Sequence, residues 1–109
     1  MATIFKVLGQ VNPPLNTLST LYTVPAFSST VVSTITICNQ SAIAAAFSIA
    51  VRPAGAIIAN QHYINYNTLI SANATLTISI GITLATTDVI SVSAASTSVS
   101  FMAFGSEIA

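Results

Sequence analysis

The stretch "STVVSTITICNQSAIAAAFSIAVR" (29–52) decides the fold. Over 29–38, Val31, Ile35 and Ile37 fall on one face while Ser33 and Thr34 mark the polar beats, because successive side chains of a strand point to opposite sides. Over 44–52, Phe47, Ile49 and Val51 share one face and Ala46, Ser48 and Ala50 the other. Asn39-Gln40-Ser41 between the two runs has the composition of a turn, which predicts that they pair as a hairpin. The small side chains on the second face of 44–52 allow close approach by another surface. A neighbouring subunit is the expected cover.

The same grammar continues outward. "TIFKVL" (3–8) reads as a first strand or arm, and 9–17 as a linker, since Pro13-Pro14 cannot sit inside a sheet. "STLYTV" (19–24) is a strand ended by Pro25. "QHYINYNT" (61–68) is another, with Ile64 and Tyr66 inward or, by a one-residue slip, Tyr63 inward. "ATLTISI" (74–80) directs Leu76, Ile78 and Ile80 to the core, and "DVISVSA" (88–94) directs Ile90 and Val92 there. In "TSVSFMAF" (97–104), Val99 and Phe101 share one face and Met102 and Phe104 the other, so the strand is apolar on both sides. About eight short strands without a convincing helix predict an all-β chain, an antiparallel β-sandwich of jelly-roll type. A chain of 109 residues is one domain, with residues 1–17 as arm and linker and 18–109 as the sandwich.

Charge is the compositional outlier. Lys6, Arg52, Asp88 and Glu107 are the only formal charges, 4% of the chain, where an average domain has roughly 25%. A net charge of zero offers nothing to nucleic acid or to an anionic membrane surface, and no apolar run reaches the length of a spanning helix. Near-zero net charge also favours association. The uncharged β-rich run "TLTISIGI" (75–82) is an aggregation hazard on a free edge, which a closed oligomer or docking on a partner relieves. The surface is therefore expected to be covered partly by copies of the chain itself.

Catalytic and metal chemistry find little to use. Asp88 and Glu107 are the sole carboxylates, and Asp88 is expected to cap a turn or block an edge. His62 stands alone, without ligands at zinc spacing. No nucleophile elbow is present among the many serines. No cofactor is expected, and the chain is expected not to be an enzyme. Cys38 is single, so no intrachain disulfide forms, and it is expected to be a buried thiol. "MATIFKVLGQ" has no long apolar core of a secretory type, so the sequons at Asn39 and Asn73 are expected to be unmodified. Tyr63 and Tyr66 are read as one core and one interface residue, with a sugar-binding face as the alternative.

The segments "TLYTVPAFSSTVVSTITICNQS" (20–41), "VRPAG" (51–55), "HYINY" (62–66), "GITLATTDVI" (81–90) and "FGSEI" (104–108) resemble small virion structural proteins of tailed bacteriophages, including cyanophages. The resemblance spans nearly the whole chain. It implies a β-sandwich that assembles on the particle, often as a homotrimer, as a capsid cement or decoration protein bound to the major capsid protein. A tail, baseplate or fibre-attachment subunit is the alternative, and a receptor- or glycan-binding module a further one. The protein is then expected in the virion, made in the host cytoplasm. The side chains expected at interfaces are Phe5, Arg52, Tyr63, Tyr66, Asp88, Met102 and Phe104, with Arg52 as a candidate intersubunit ion-pair donor.

Overall fold

The computed structural model describes residues 3–109, and nine strands form among them. They are β1 (Thr3–Val11), β2 (Ser19–Thr23), β3 (Ser29–Asn39), β4 (Ala45–Arg52), β5 (Tyr63–Ile70), β6 (Thr75–Ile78), β7 (Ile82–Leu84), β8 (Val89–Ala94) and β9 (Val99–Ile108). Only two single-turn helices interrupt them, at Pro53–Gly55 and Asn60–His62. One sheet has the order β1-β9-β3-β6, with β7 also on β3, and the second the order β2-β8-β4-β5. Every pairing is antiparallel.

The pairings are nested. The first strand lies beside the last, β2 beside β8, β3 beside β6 and β7, and β4 beside β5. That is the strand order of a jelly roll, with β6 and β7 acting as one edge strand interrupted at 79–81. The break faces a bulge in β3 between Val32 and Thr34, so both strands lose register at the same level.

The inner faces of the sheets meet in a core of Val32, Ile35, Ile37, Phe47, Ile49, Leu84, Ile90, Val92, Val99 and Phe101, all buried. Phe47 and Phe101 meet edge to face across it, their ring centroids 6.1 Å apart, an arrangement the aromatic quadrupole favours. Burial of each large side chain contributes roughly 1.5–3 kcal/mol. The total accessible surface, 5671 Å², agrees with the value of about 5,700 Å² that the size scaling gives for this mass. The surface is thus ordinary in extent and unusual only in its chemistry.

Several expectations from the alternation are corrected. β3 and β4 do not pair as a hairpin but belong to different sheets, because both edges of each are already occupied by other strands. The bulge at Ser33 moves Val31 to the outer face and puts Val32 in the core. β6 ends at Ile78, leaving Leu76 and Ile80 exposed while Ile78 packs on the core. The small-residue face of β4 is covered largely from within the chain: Ser48 is 4% exposed and Ala50 fully buried. Segment 53–62 folds back onto β4 and β8 there, and a bulge of β5 brings the Asn67 N–H to the Ser48 hydroxyl at 3.0 Å.

Two glycines set the closest backbone approaches. A Cβ on Gly9 would lie 2.1 Å from the Leu21 carbonyl oxygen, where β1 meets β2 along the side of the sandwich. A Cβ on Gly105 would lie 2.1 Å from the Val31 carbonyl oxygen, at the β3 bulge.

Candidate interaction surface

All four formal charges are engaged inside the chain. Lys6 Nζ lies 3.0 Å from Glu107 Oε1. The other carboxylate oxygen accepts a 2.5 Å bond from the Tyr22 hydroxyl, which is also 2.7 Å from the Thr30 hydroxyl. Since the Tyr22 proton is given to Glu107, Thr30 is the donor in the second contact. Burial, and then donation to Glu107, pushes the Tyr22 phenol up to about 12. The Glu107 carboxyl is held below its ordinary value, first by Tyr22 and then by Lys6. An exposed ion pair contributes about 0–1 kcal/mol, whereas a hydrogen bond to a charged group contributes about 1.5–3 kcal/mol. The Tyr22 contact therefore dominates.

Arg52 is spent on its own chain. Its Nε donates to the Ala56 carbonyl at 2.7 Å, Nη2 to that of Gly55 at 3.1 Å and Nη1 to the Ser91 hydroxyl at 3.1 Å. Asp88 holds the other side of the same turn by accepting from the Ala54 amide at 2.8 Å, and it caps its own turn through the Ala85 amide at 2.9 Å. Arg52 and Asp88, both among the residues expected at interfaces, together clamp the Pro53–Gly55 turn, in which Ala54 has φ 54°. The predicted turn cap at Asp88 is present.

With the charges withdrawn, the outer face of the β1-β9-β3-β6 sheet is neutral. Register places Phe5, Val7 and Gln10 of β1, Ser100, Met102 and Phe104 of β9, and Thr34, Thr36 and Cys38 of β3 on it, while Lys6 and Glu107 fall on the opposite face. Three of the expected interface residues, Phe5, Met102 and Phe104, are brought together here. Two shallow grooves flank them. One of about 340 Å³ runs past Gln10, Thr36, Cys38, Ser100 and Met102. The other, about 460 Å³, is lined by Phe5, Val31, Ser33, Phe104 and Lys6, whose ammonium is bound to Glu107. Cys38 is half-buried on this face rather than a core thiol, because odd-numbered Ile35 and Ile37 take the inward positions.

Tyr63 and Tyr66 occupy the other sheet, at its β5 edge. Neither enters the core: Tyr66 is 66% exposed and Tyr63 half-buried. Their rings meet edge to face at 4.9 Å and, with Asn60, line a depression of about 410 Å³. His62 Nδ1 accepts from the Ala59 amide at 3.0 Å, a local structural bond. No group of three metal-ligating side chains occurs among the described residues.

Asn39 has a role that its turn composition concealed. Its amide nitrogen lies within bonding distance of the carbonyls of Ile43 (3.0 Å), Ile70 (3.3 Å) and Ser71 (3.2 Å), and its oxygen accepts from the Ser41 amide at 3.0 Å. It is 1% exposed and ties the corner where the chain leaves one sheet for the other. A turn residue immediately following a strongly alternating run was the available signal.

Comparison with protein-family models, with curated proteins and with solved structures finds no match.

Proposed function

We propose that this protein is a non-enzymatic structural subunit of a bacteriophage virion, a cement or decoration protein that binds the outside of the head and stabilises capsomer junctions. The observation that carries the reading is the outer face of the β1-β9-β3-β6 sheet, where Phe5, Val7, Met102 and Phe104 lie together and the one charged side chain lining its grooves, Lys6, is paired with Glu107. Interfaces that stay assembled are more apolar than ordinary surface and poor in charge at their centres. Binding that occurs only on the assembled shell adds its free energy to that state alone. Jelly rolls occur among capsid and lectin domains, an analogy at the level of fold that agrees with the reading.

The experiment is co-sedimentation of the purified protein with phage heads that lack it. Saturable binding at many sites per head, weakened in Met102→Glu and Phe104→Glu, is the expected result. Failure to bind heads, or equal binding by the two variants, overturns the reading. Binding at a single vertex would identify a tail or fibre-base subunit instead.

A second reading has its own observation. The exposed Tyr63–Tyr66 pair beside Asn60 offers an aromatic surface with an amide at its rim, the elements of a neutral-sugar site. Glycan-array binding that disappears in a Tyr63→Ala, Tyr66→Ala double variant would favour it.

A further inference from the structure

Sandwiches leave edges, and three of the edges here are blunted. β2 is five residues long, bulges between Thr20 and Tyr22, and has the β1 backbone against it at Gly9. β5 loses register twice against β4, with Asn67 at φ 47°. β6 and β7, four and three residues, are separated by the break at 79–81. Such bulges and short strands are the usual protection against edge-to-edge pairing.

The first half of β1 has none of them. From Thr3 opposite Ile108 to Val7 opposite Phe104 it runs in unbroken register, with β9 on one side and no strand on the other among the described residues. Its alternate backbone N–H and C=O groups therefore point outward without a protein partner, a row that water solvates in a lone subunit and that serves as a template for another strand. Ile4 is 55% exposed, Phe5 82% and Val7 47%. Lysine commonly guards an edge, but the Lys6 ammonium is drawn to Glu107.

We infer that this edge is completed by the same edge of a second copy, the two β1 strands pairing antiparallel about a two-fold axis through Phe5. The segment complements itself in that register. Thr3 faces the second copy's Val7, Ile4 faces its Lys6, and Phe5 faces its Phe5. Cross-strand aromatic pairs are favourable, and like charges directly opposite are unfavourable. An axis through Lys6 would oppose the two lysines, whereas the axis through Phe5 keeps them apart and opposes the two phenylalanines. The result is a sheet continuous across both subunits, with Phe5, Val7 and Phe104 of each copy on one neutral face. The contact builds a dimer, where the sequence resemblance suggests a trimer. It goes beyond the virion reading and does not depend on it, since it concerns how two copies meet.

Sedimentation equilibrium of the full chain, of Phe5→Lys and of Leu69→Lys is the test. Leu69 is 73% exposed on the β5 edge and serves as the control. The expected result is a dimer for the wild type and for Leu69→Lys, with association weakened at least about tenfold in Phe5→Lys by opposed lysines. A monomeric wild type at high protein concentration overturns the proposal. So does a Phe5→Lys variant that associates like the wild type, although self-association through another face would then stand. Should Phe5→Lys lose its far-ultraviolet circular dichroism, amide exchange of the wild type decides. Amides of 3–7 that are protected at high concentration and open on dilution support the edge contact, and amides indifferent to concentration exclude it.

Discussion

Tyr22 and Glu107, 85 positions apart in the chain, meet through a 2.5 Å hydrogen bond that crosses from one sheet to the other. β2 supplies the phenol, β9 the carboxylate and β3 the Thr30 hydroxyl that donates to the phenol oxygen. Asn39 does the corresponding work at the far end of β3, binding carbonyls of the β3–β4 and β5–β6 connections. The sandwich is thus fastened by a polar clasp near each end, with the aliphatic and aromatic core between.

Tyr22→Phe is expected to destabilise the fold by about 1.5–3 kcal/mol, the contribution of a hydrogen bond to a charged group. Urea unfolding followed by circular dichroism measures it. A loss below a few tenths of a kcal/mol would show that water replaces the phenol at no cost.

Alkaline titration gives an independent reading of the same contact. Well below pH 10 the Tyr22 phenol is protonated in both folded and unfolded chains, and its stabilisation is fully present. Between pH 10 and about 12 the unfolded chain releases this proton more readily than the folded one, so stability falls across that window. Tyrosinate absorbance should show one of the three tyrosines titrating near pH 12, a component absent from Tyr22→Phe.

In acid the sign reverses. Glu107 ionises at lower pH in the folded chain than the ordinary 4.5. Its contribution is therefore complete above that value and is lost as pH falls through the folded pKa. Glu107→Gln should flatten the acid limb of a stability–pH curve, and an unchanged acid limb would contradict this account.

Asn39→Ala leaves the carbonyls of Ile70 and Ser71 without their side-chain donor in a buried corner. The expected loss is about 1–3 kcal/mol for groups left unsatisfied, read as a lowered unfolding midpoint. Asn39→Asp should be no better, because a carboxylate cannot donate to carbonyls.

Gly9→Ala and Gly105→Ala each drive a methyl against a backbone oxygen and should cost at least about 1–3 kcal/mol through backbone displacement. Gly81, whose Cβ would meet nothing within 4 Å, is the contrasting position. Gly81→Ala should be tolerated. Equal effects at all three sites would mean that glycine flexibility, rather than close approach, governs them.

Alternation located the strands well because each sheet buries one face, and a strand in that setting must repeat every two residues. It could not reveal irregularity. One extra residue at Ser33 exchanges the roles of Val31 and Val32, and the neighbouring polar pair Ser33-Thr34 reads smoothly in either register. Tyr63 and Tyr66, three positions apart, belong on opposite faces of a regular strand. The bulges of β5 bring their rings to 4.9 Å on one surface. Turn composition at 39–41 indicated where the chain reverses but not which sheet receives it, since both edges of β3 are taken by strands distant in sequence. The face holding Phe5, Met102 and Phe104 was legible because Met102 and Phe104 are apolar on a strand whose other side is already core. The clamp at Arg52 was not, because two of its three partners are backbone carbonyls, to which side-chain identity gives no clue.

A density map of the purified virion tests the central claim most directly. The account predicts a jelly-roll density repeated over the outside of the head at capsomer junctions, resting on the shell or on its neighbour through the face that carries Phe5, Met102 and Phe104. A particle whose head surface carries no such density, or one in which that face points into open solvent, would contradict it.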